Sequence, residues 1–160
     1  MKDLNDLFVH LLKDVYYAEK QILKALPKMA KAAQTPELKK AFETHREETE
    51  GQVERLQQVF EMMNKPARGV KCDAIEGLVD EAKEVMEEAE APEVMDAGLL
   101  ASAQAVEHYE MARYGTLIAW AGQLKMPEAA KLFEANLAQE KNADKVLTEL
   151  ALRSVNRKAA

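Results

Sequence analysis

Six carboxylates in this 160-residue chain sit where an α-helix would turn them inward: Glu19, Glu48, Glu107, Glu110, Glu140 and Asp144. Advancing 100° per residue along each apolar stripe places them. Glu19 falls within the stripe Leu4, Phe8, Leu11, Leu12, Val15, Ile22, Leu23, Leu26, and His10 and Asp14 fall on the opposite face. Glu48 lies at the edge of the stripe Leu38, Phe42, Val53, Leu56, Phe60, Met63, whose middle is occupied by His45, Thr49 and Gln52; Glu47 and Glu50 point outward. Glu107 and Glu110, three residues apart and stacked on one face, lie within Leu99, Leu100, Ala103, Val106, Met111, Tyr114, Leu117, Ile118, with His108 outside. Glu140 and Asp144, four apart, lie within Ala129, Phe133, Leu137, Leu147, Ala151.

One acid on an apolar stripe is ordinary, because a long side chain can reach water at the rim. An acid near the middle of each of four helices is different, since antiparallel helices bring their middles to one level. A buried, unpaired carboxylate costs several kcal/mol, and crowded carboxylates raise one another's pKa. The sequence offers no inward Lys or Arg at this level. Two divalent cations per chain would balance the acids, with some carboxylates bridging. His45 reads either as a ligand or as a core histidine hydrogen-bonded to a carboxylate. Gln52 reads as a residue supporting a ligand, or as a weak ligand itself. Tyr16, Tyr114 and Trp120 read as core filler with hydrogen-bonded tips rather than redox relays. Cys72, beside a helix cap, shows no partner for catalysis.

The elements that must position these residues are marked by sparse breaks. Thr35-Pro36-Glu37 reads as an N-cap, a proline in the first helical position and an acidic first turn; Ala91-Pro92-Glu93 and Met126-Pro127-Glu128 restart helices in the same way. Asp73 with Glu76 has the spacing of a capping box, and the run from Asn64 to Gly69 is the clear loop. The expected helices span about 3–33, 36–63, 73–90, 93–124 and 127–155. Pro27 should kink or shorten the first. Two short connections imply two antiparallel hairpins, and the shorter third helix can supply the crossover between them. The expected fold is all-α, a single domain over 1–160: a ferritin-like four-helix bundle with a short fifth helix in the long crossover.

Composition agrees and excludes alternatives. Hydrophobic residues make up 48% and charged residues 31%, while only six Gly and five Pro are present, too few for a strand-and-turn architecture. A net charge of −6 argues against nucleic acid as partner. The absence of an 18-residue uncharged run argues against a membrane span. The single cysteine and the acidic MKDLNDLF start fit a cytoplasmic protein.

The order of inward acids resembles the di-iron carboxylate bundles of the ferritin-like superfamily: Glu19, then Glu48 with a second ligand, then Glu107-x-x-Glu110, then Glu140 with a second ligand. Glu107-His108-Tyr109-Glu110 followed by Glu140 is rubrerythrin-like. More specifically, DLFVHLLKDVYYAEKQILKALPKMA, HREETEGQVERLQQVF and EHYEMARYGTLIAWAGQL resemble the YciF/YciE group of bacterial stress proteins. The resemblance spans nearly the whole chain. It implies a cytoplasmic, homodimeric bundle linked to stress, with iron as the metal and manganese as the alternative. It supplies no reaction. The sequence departs from the usual Glu-x-x-His pattern, leaving a donor set of almost only oxygen, which suits hard cations. It also lacks the rubredoxin-like cysteine module, so electrons would come from a separate donor. Three functions are therefore open: a di-metal oxidoreductase consuming peroxide or oxygen, a metal-binding module without turnover, and a structural or adaptor bundle acting through protein partners.

Overall fold

A computed structural model describes all 160 residues and contains helices only. The helices are α1 (Leu4–Ala32), α2 (Pro36–Met62), α3 (Asp73–Glu88), α4 (Pro92–Gln123) and α5 (Pro127–Leu150), followed by a π-helical turn (Ala151–Val155) and α6 (Asn156–Ala159). Prolines open α2, α4 and α5 as the spacing predicts, because the first helical position needs no donor N–H. α2 and α4 close with one residue in the left-handed region, Asn64 at φ 53° and Lys125 at φ 58°. Behind each, the next N–H turns back, from Lys65 to the Phe60 carbonyl and from Met126 to that of Ala121, both at 2.9 Å.

α1 packs on α2 and α4 on α5, with α2 against α5 and α1 against α4 completing a four-helix ring. Gln34 and Thr35 meet Asp96, whereas Asp14 meets Tyr109, so α1 and α4 are antiparallel. α2 and α4 therefore run the same way, and the chain must travel back along the bundle between them. The segment containing α3 does this, packed on α1 and α4. Gly69 lets that segment approach closely, since a Cβ there would stand 2.9 Å from the Tyr17 Cβ and 3.1 Å from its Cα. This is the expected ferritin-like bundle.

Three local expectations are corrected. α1 runs through Pro27 to Ala32, close to its expected length, so the proline does not shorten it. The capping box at Asp73 and Glu76 does not form: Cys72 is the N-cap, and Glu76 instead accepts a 2.7 Å hydrogen bond from the Tyr17 hydroxyl. α5 is α-helical only to Leu150, and the wider π turn that follows buries Ala151 and Val155.

The core has two apolar halves. One gathers around Ile22, Leu26, Phe42, Leu99, Leu100 and Leu147. The other gathers around Phe8, Leu12, Leu56, Phe60, Leu117 and Phe133. Between them lies a buried polar layer: Glu19, His45, Thr49, Gln52, Glu107, Glu110, Asn136 and Glu140.

Candidate metal centre

Helical periodicity builds this layer. Glu19 follows Val15 by four residues and precedes Ile22 by three; His45, Thr49 and Gln52 share one face of α2; Glu107, Glu110 and Tyr114 share one face of α4; Asn136 and Glu140 lie between Phe133 and Leu147 on α5. Candidate ligand atoms of His45, Glu107, Glu110 and Glu140 all lie within 4.8 Å of one another. Ligands on opposite sides of an ion, with bonds of about 2.1 Å, stand roughly 4.2 Å apart, so the spacing fits an ion among them.

The His45 Nε2 is 3.2 Å from Glu107 Oε1 and 3.7 Å from Glu140 Oε2, while its Nδ1 is 3.6 Å from Glu48 Oε2. None of these contacts has hydrogen-bond alignment: both ring nitrogens lack a partner. So do both oxygens of Glu110 and Glu140, Oε2 of Glu19 and of Glu107, and both side-chain polar atoms of Gln52. Gln52 stands beside Glu140 without closing a well-aligned bond. Glu19 differs in having one satisfied oxygen, Oε1, which accepts from the Tyr114 hydroxyl.

The energetics follow from this crowding. Burial, reinforced by Glu140, pushes the Glu19 carboxyl up to about 8, against the opposing hydrogen bond from Tyr114. Burial, with Glu19, Asp144 and Glu48 nearby, raises Glu107 to about 7. Glu110 and Glu140 are raised well above the usual carboxylate range, first by burial and then by their acidic neighbours. Burial works against a charged His45, but Glu48, Glu140 and Glu19 outweigh it and its pKa rises.

The remaining expected residues lie at the rim. Glu48 is half-buried beside His45, with Glu47 and Glu50 exposed on either side, so the helical phase read for α2 holds. Asp144 is also half-buried. It lies 3.3 Å from the exposed His108 and accepts a 3.1 Å hydrogen bond from Gln104. The buried face of α5 runs through Asn136, Glu140 and Ala143, one residue off the stripe drawn through Leu137 and Asp144. Arg55 comes nearer than the sequence reading allowed, but it bonds Asn136 and Gln139 and pairs with none of the core acids.

Sequence reasoning missed two buried polar residues. Asn136 links Arg55 to Tyr114. Asp96, 2% exposed, accepts from the backbone N–H groups of Gln34 at 2.6 Å and Thr35 at 2.8 Å, and so ties the α1–α2 turn to α4. Both lie three or four residues from identified stripe positions, which was the available signal. Cys72 is buried beside Tyr109, whose hydroxyl lies 3.2 Å from Sγ and also donates to Asp14.

A cleft of about 320 Å³ opens between α2 and α5, walled by Leu26, Phe42, Ala103 and Leu147, and reaches His45, Glu48 and Glu107. The centre is thus flanked by apolar residues and approachable through this cleft, and a much smaller apolar cavity beside α3 also touches His45 and Glu107. No helix is long and apolar enough to cross a membrane.

Comparison with known proteins places this architecture. Protein YciF of Escherichia coli (strain K12) is 51% identical over 160 residues, covering 99% of this chain and 96% of that protein. The crystal structure of YciF, there called a stress protein, matches with a TM-score of 0.93 over 98% of this chain and 99% of its own. YcfI of Rhodopseudomonas palustris matches with a TM-score of 0.90 at 48% identity, over 92% of this chain and 94% of that one. A Xanthomonas campestris protein, 24% identical, shares the fold with a TM-score of 0.75. Residues 3–160 match the family described as Domain of unknown function (DUF892), and the chain belongs to that family together with the stress protein YciF.

Proposed function

We propose that the chain binds two divalent metal ions, iron or manganese, in the acid layer, and uses them to consume peroxide or oxygen under stress. The observation that carries this reading is the set of buried, unpartnered donors: Glu107, Glu110 and Glu140 with His45, joined by Glu19 Oε2. Three carboxylates with no cation among them are unfavourable in an apolar core. Glu19, Glu107, Glu110, Glu140 and His45 would hold the metals, with Glu48 and Asp144 closing the rim. The imidazole adds a nitrogen to the oxygen donors and so favours a transition metal over calcium or magnesium.

Iron at this site would supply the two electrons that, with two protons, convert hydrogen peroxide to two water molecules. The chain's own residues hold the acids in register, exclude bulk water through the two apolar core halves, and admit a small oxidant through the α2–α5 cleft. On this reading the protein is a cytoplasmic homodimer served by a separate electron donor. Elemental analysis of protein purified without chelators tests the metal, with about two equivalents per chain expected. Less than one equivalent after anaerobic loading with iron would overturn it. Peroxide consumption by the iron-loaded protein tests the chemistry, and full occupancy without consumption would identify a metal-binding module without turnover.

A further inference from the structure

The polar layer contains one connected path of hydrogen bonds, and it takes a residue from each of the four long helices. Arg55 on α2 donates from Nη1 to Asn136 Oδ1 on α5, at 2.8 Å, and to Gln139 Oε1, also at 2.8 Å. Asn136 Nδ2 donates to the Tyr114 hydroxyl on α4 at 2.9 Å. Tyr114 donates to Glu19 Oε1 on α1. Glu19, Tyr114 and Asn136 are fully buried, and Arg55 is half-buried at the outer end.

The direction of this path is forced. A guanidinium has donors only, so the Asn136 atom facing Arg55 must be its oxygen. That turns the Asn136 nitrogen, which can only donate, toward Tyr114. The phenolic oxygen must then accept, and its single hydrogen is left for Glu19. Glu19 Oε1 is thereby held as an acceptor, and Oε2 is left without any protein partner. Glu110 on α4 and Glu140 on α5 have no comparable restraint on either oxygen.

We infer that Arg55, Asn136 and Tyr114 are positioning residues for the metal centre, which fix the Glu19 carboxylate with one oxygen engaged and the other presented to an ion. The inference rests on the proposed metal reading, and it adds that Arg55 acts on the centre only through Asn136 and Tyr114. Residues that orient a metal ligand typically change affinity by about 10–100-fold when removed.

The test is calorimetric titration of the full-length protein with Mn²⁺, comparing wild type, Tyr114→Phe, Arg55→Met, Arg55→Lys and the Tyr114→Phe/Arg55→Met double variant. Tyr114→Phe should weaken one of the two sites by about 10–100-fold. Arg55→Met should weaken the same site by less, and Arg55→Lys, which keeps a donor for Asn136, should restore most of the loss. The double variant should bind no more weakly than Tyr114→Phe alone. Additive losses, or unchanged affinity in Tyr114→Phe, would overturn the inference. A second readout needs no metal: the Raman doublet of Tyr114, isolated as wild type minus Tyr114→Phe, should show a strong donor, and that character should weaken in Arg55→Met. A doublet indifferent to Arg55→Met overturns the path. A wild type that takes up no Mn²⁺ overturns the metal centre and the path's role in it, while leaving the Raman signature in place, so the two failures read differently.

Discussion

Once stripped of metal, this protein should become more stable as the pH is lowered, the reverse of ordinary acid denaturation. A carboxyl whose pKa is raised by folding binds more protons folded than unfolded, so acidification favours the folded state. Glu19 is pushed up to about 8 and Glu107 to about 7, whereas an unfolded glutamate titrates near about 4.3. Between pH 8 and pH 6 the folded chain therefore takes up protons on both residues while the unfolded chain stays ionised. At about 1.4 kcal/mol per proton per pH unit, the gain is roughly 3–4 kcal/mol. His45, with its raised pKa, adds in the same direction. For a domain of this size that gain corresponds to a Tm increase on the order of 10 °C. The assay is differential scanning calorimetry of chelator-treated, desalted protein across the range. Glu107→Gln should already be more stable than wild type at pH 8 and should lose part of the pH dependence. Glu47→Gln, on the solvent face, should keep all of it, which separates the core effect from a general reduction in net charge. A Tm that stays level or falls from pH 8 to pH 6 would refute the crowding argument.

Inward and outward acids should separate in metal titrations: Glu140→Ala and Glu107→Ala should abolish Mn²⁺ binding, Glu48→Gln should weaken it, and Glu47→Gln should leave it unchanged by calorimetry. Asp96→Asn should destabilise the protein by about 2–4 kcal/mol in urea titration, because an amide cannot accept two backbone hydrogen bonds in the same way, whereas Glu110→Gln should stabilise the metal-free form at pH 8. Lys125→Gly should raise Tm, with a gain of up to about 1 kcal/mol, because it relieves a left-handed residue at the α4 terminus. An unchanged Tm for Lys125→Gly would show that the turn carries no strain.

Much of the fold was legible because its punctuation is local. Pro36, Pro92 and Pro127 each satisfy a rule that needs no knowledge of the rest of the chain. The inward direction of Glu19, Glu107, Glu110 and Glu140 was legible because long helices average out errors in phase. Asp144 was less secure. Leu137 packs against the core from the side and remains half-buried, so weighting it fully drew the stripe toward residue 144. Asn136 and Asp96 escaped because their burial depends on partners distant in sequence: Arg55 and Tyr114 for one, the Gln34 and Thr35 amides for the other. The capping box at Asp73 failed for a related reason, since Tyr17 on another helix claims Glu76. Spacing identifies what a residue can bond, and tertiary contacts decide what it does bond.

Asp96 and Glu110 show why burial alone does not mark a functional acid. Both are on α4, and both are almost completely buried. Asp96 lies near the start of its helix and meets the α1–α2 turn, where Gln34 and Thr35 precede the first turn of α2 and their N–H groups are free of helical bonds. Two of them point at its carboxylate, so its burial is compensated by the backbone. Glu110 lies in the middle of its helix, level with the middles of three others, where every N–H is already committed to a carbonyl one turn away. No backbone donor can reach it, and both its oxygens are left without partners. The same is true of Glu140. An acid at mid-helix in a four-helix bundle can be satisfied only by another side chain, a proton or a bound cation. His45 is the one imidazole in the layer, and Arg55 is occupied with Asn136 and Gln139. Side chains therefore cannot satisfy all four glutamates. What remains is protonation, which the raised pKa values express, or metal, which the clustered donors can accept.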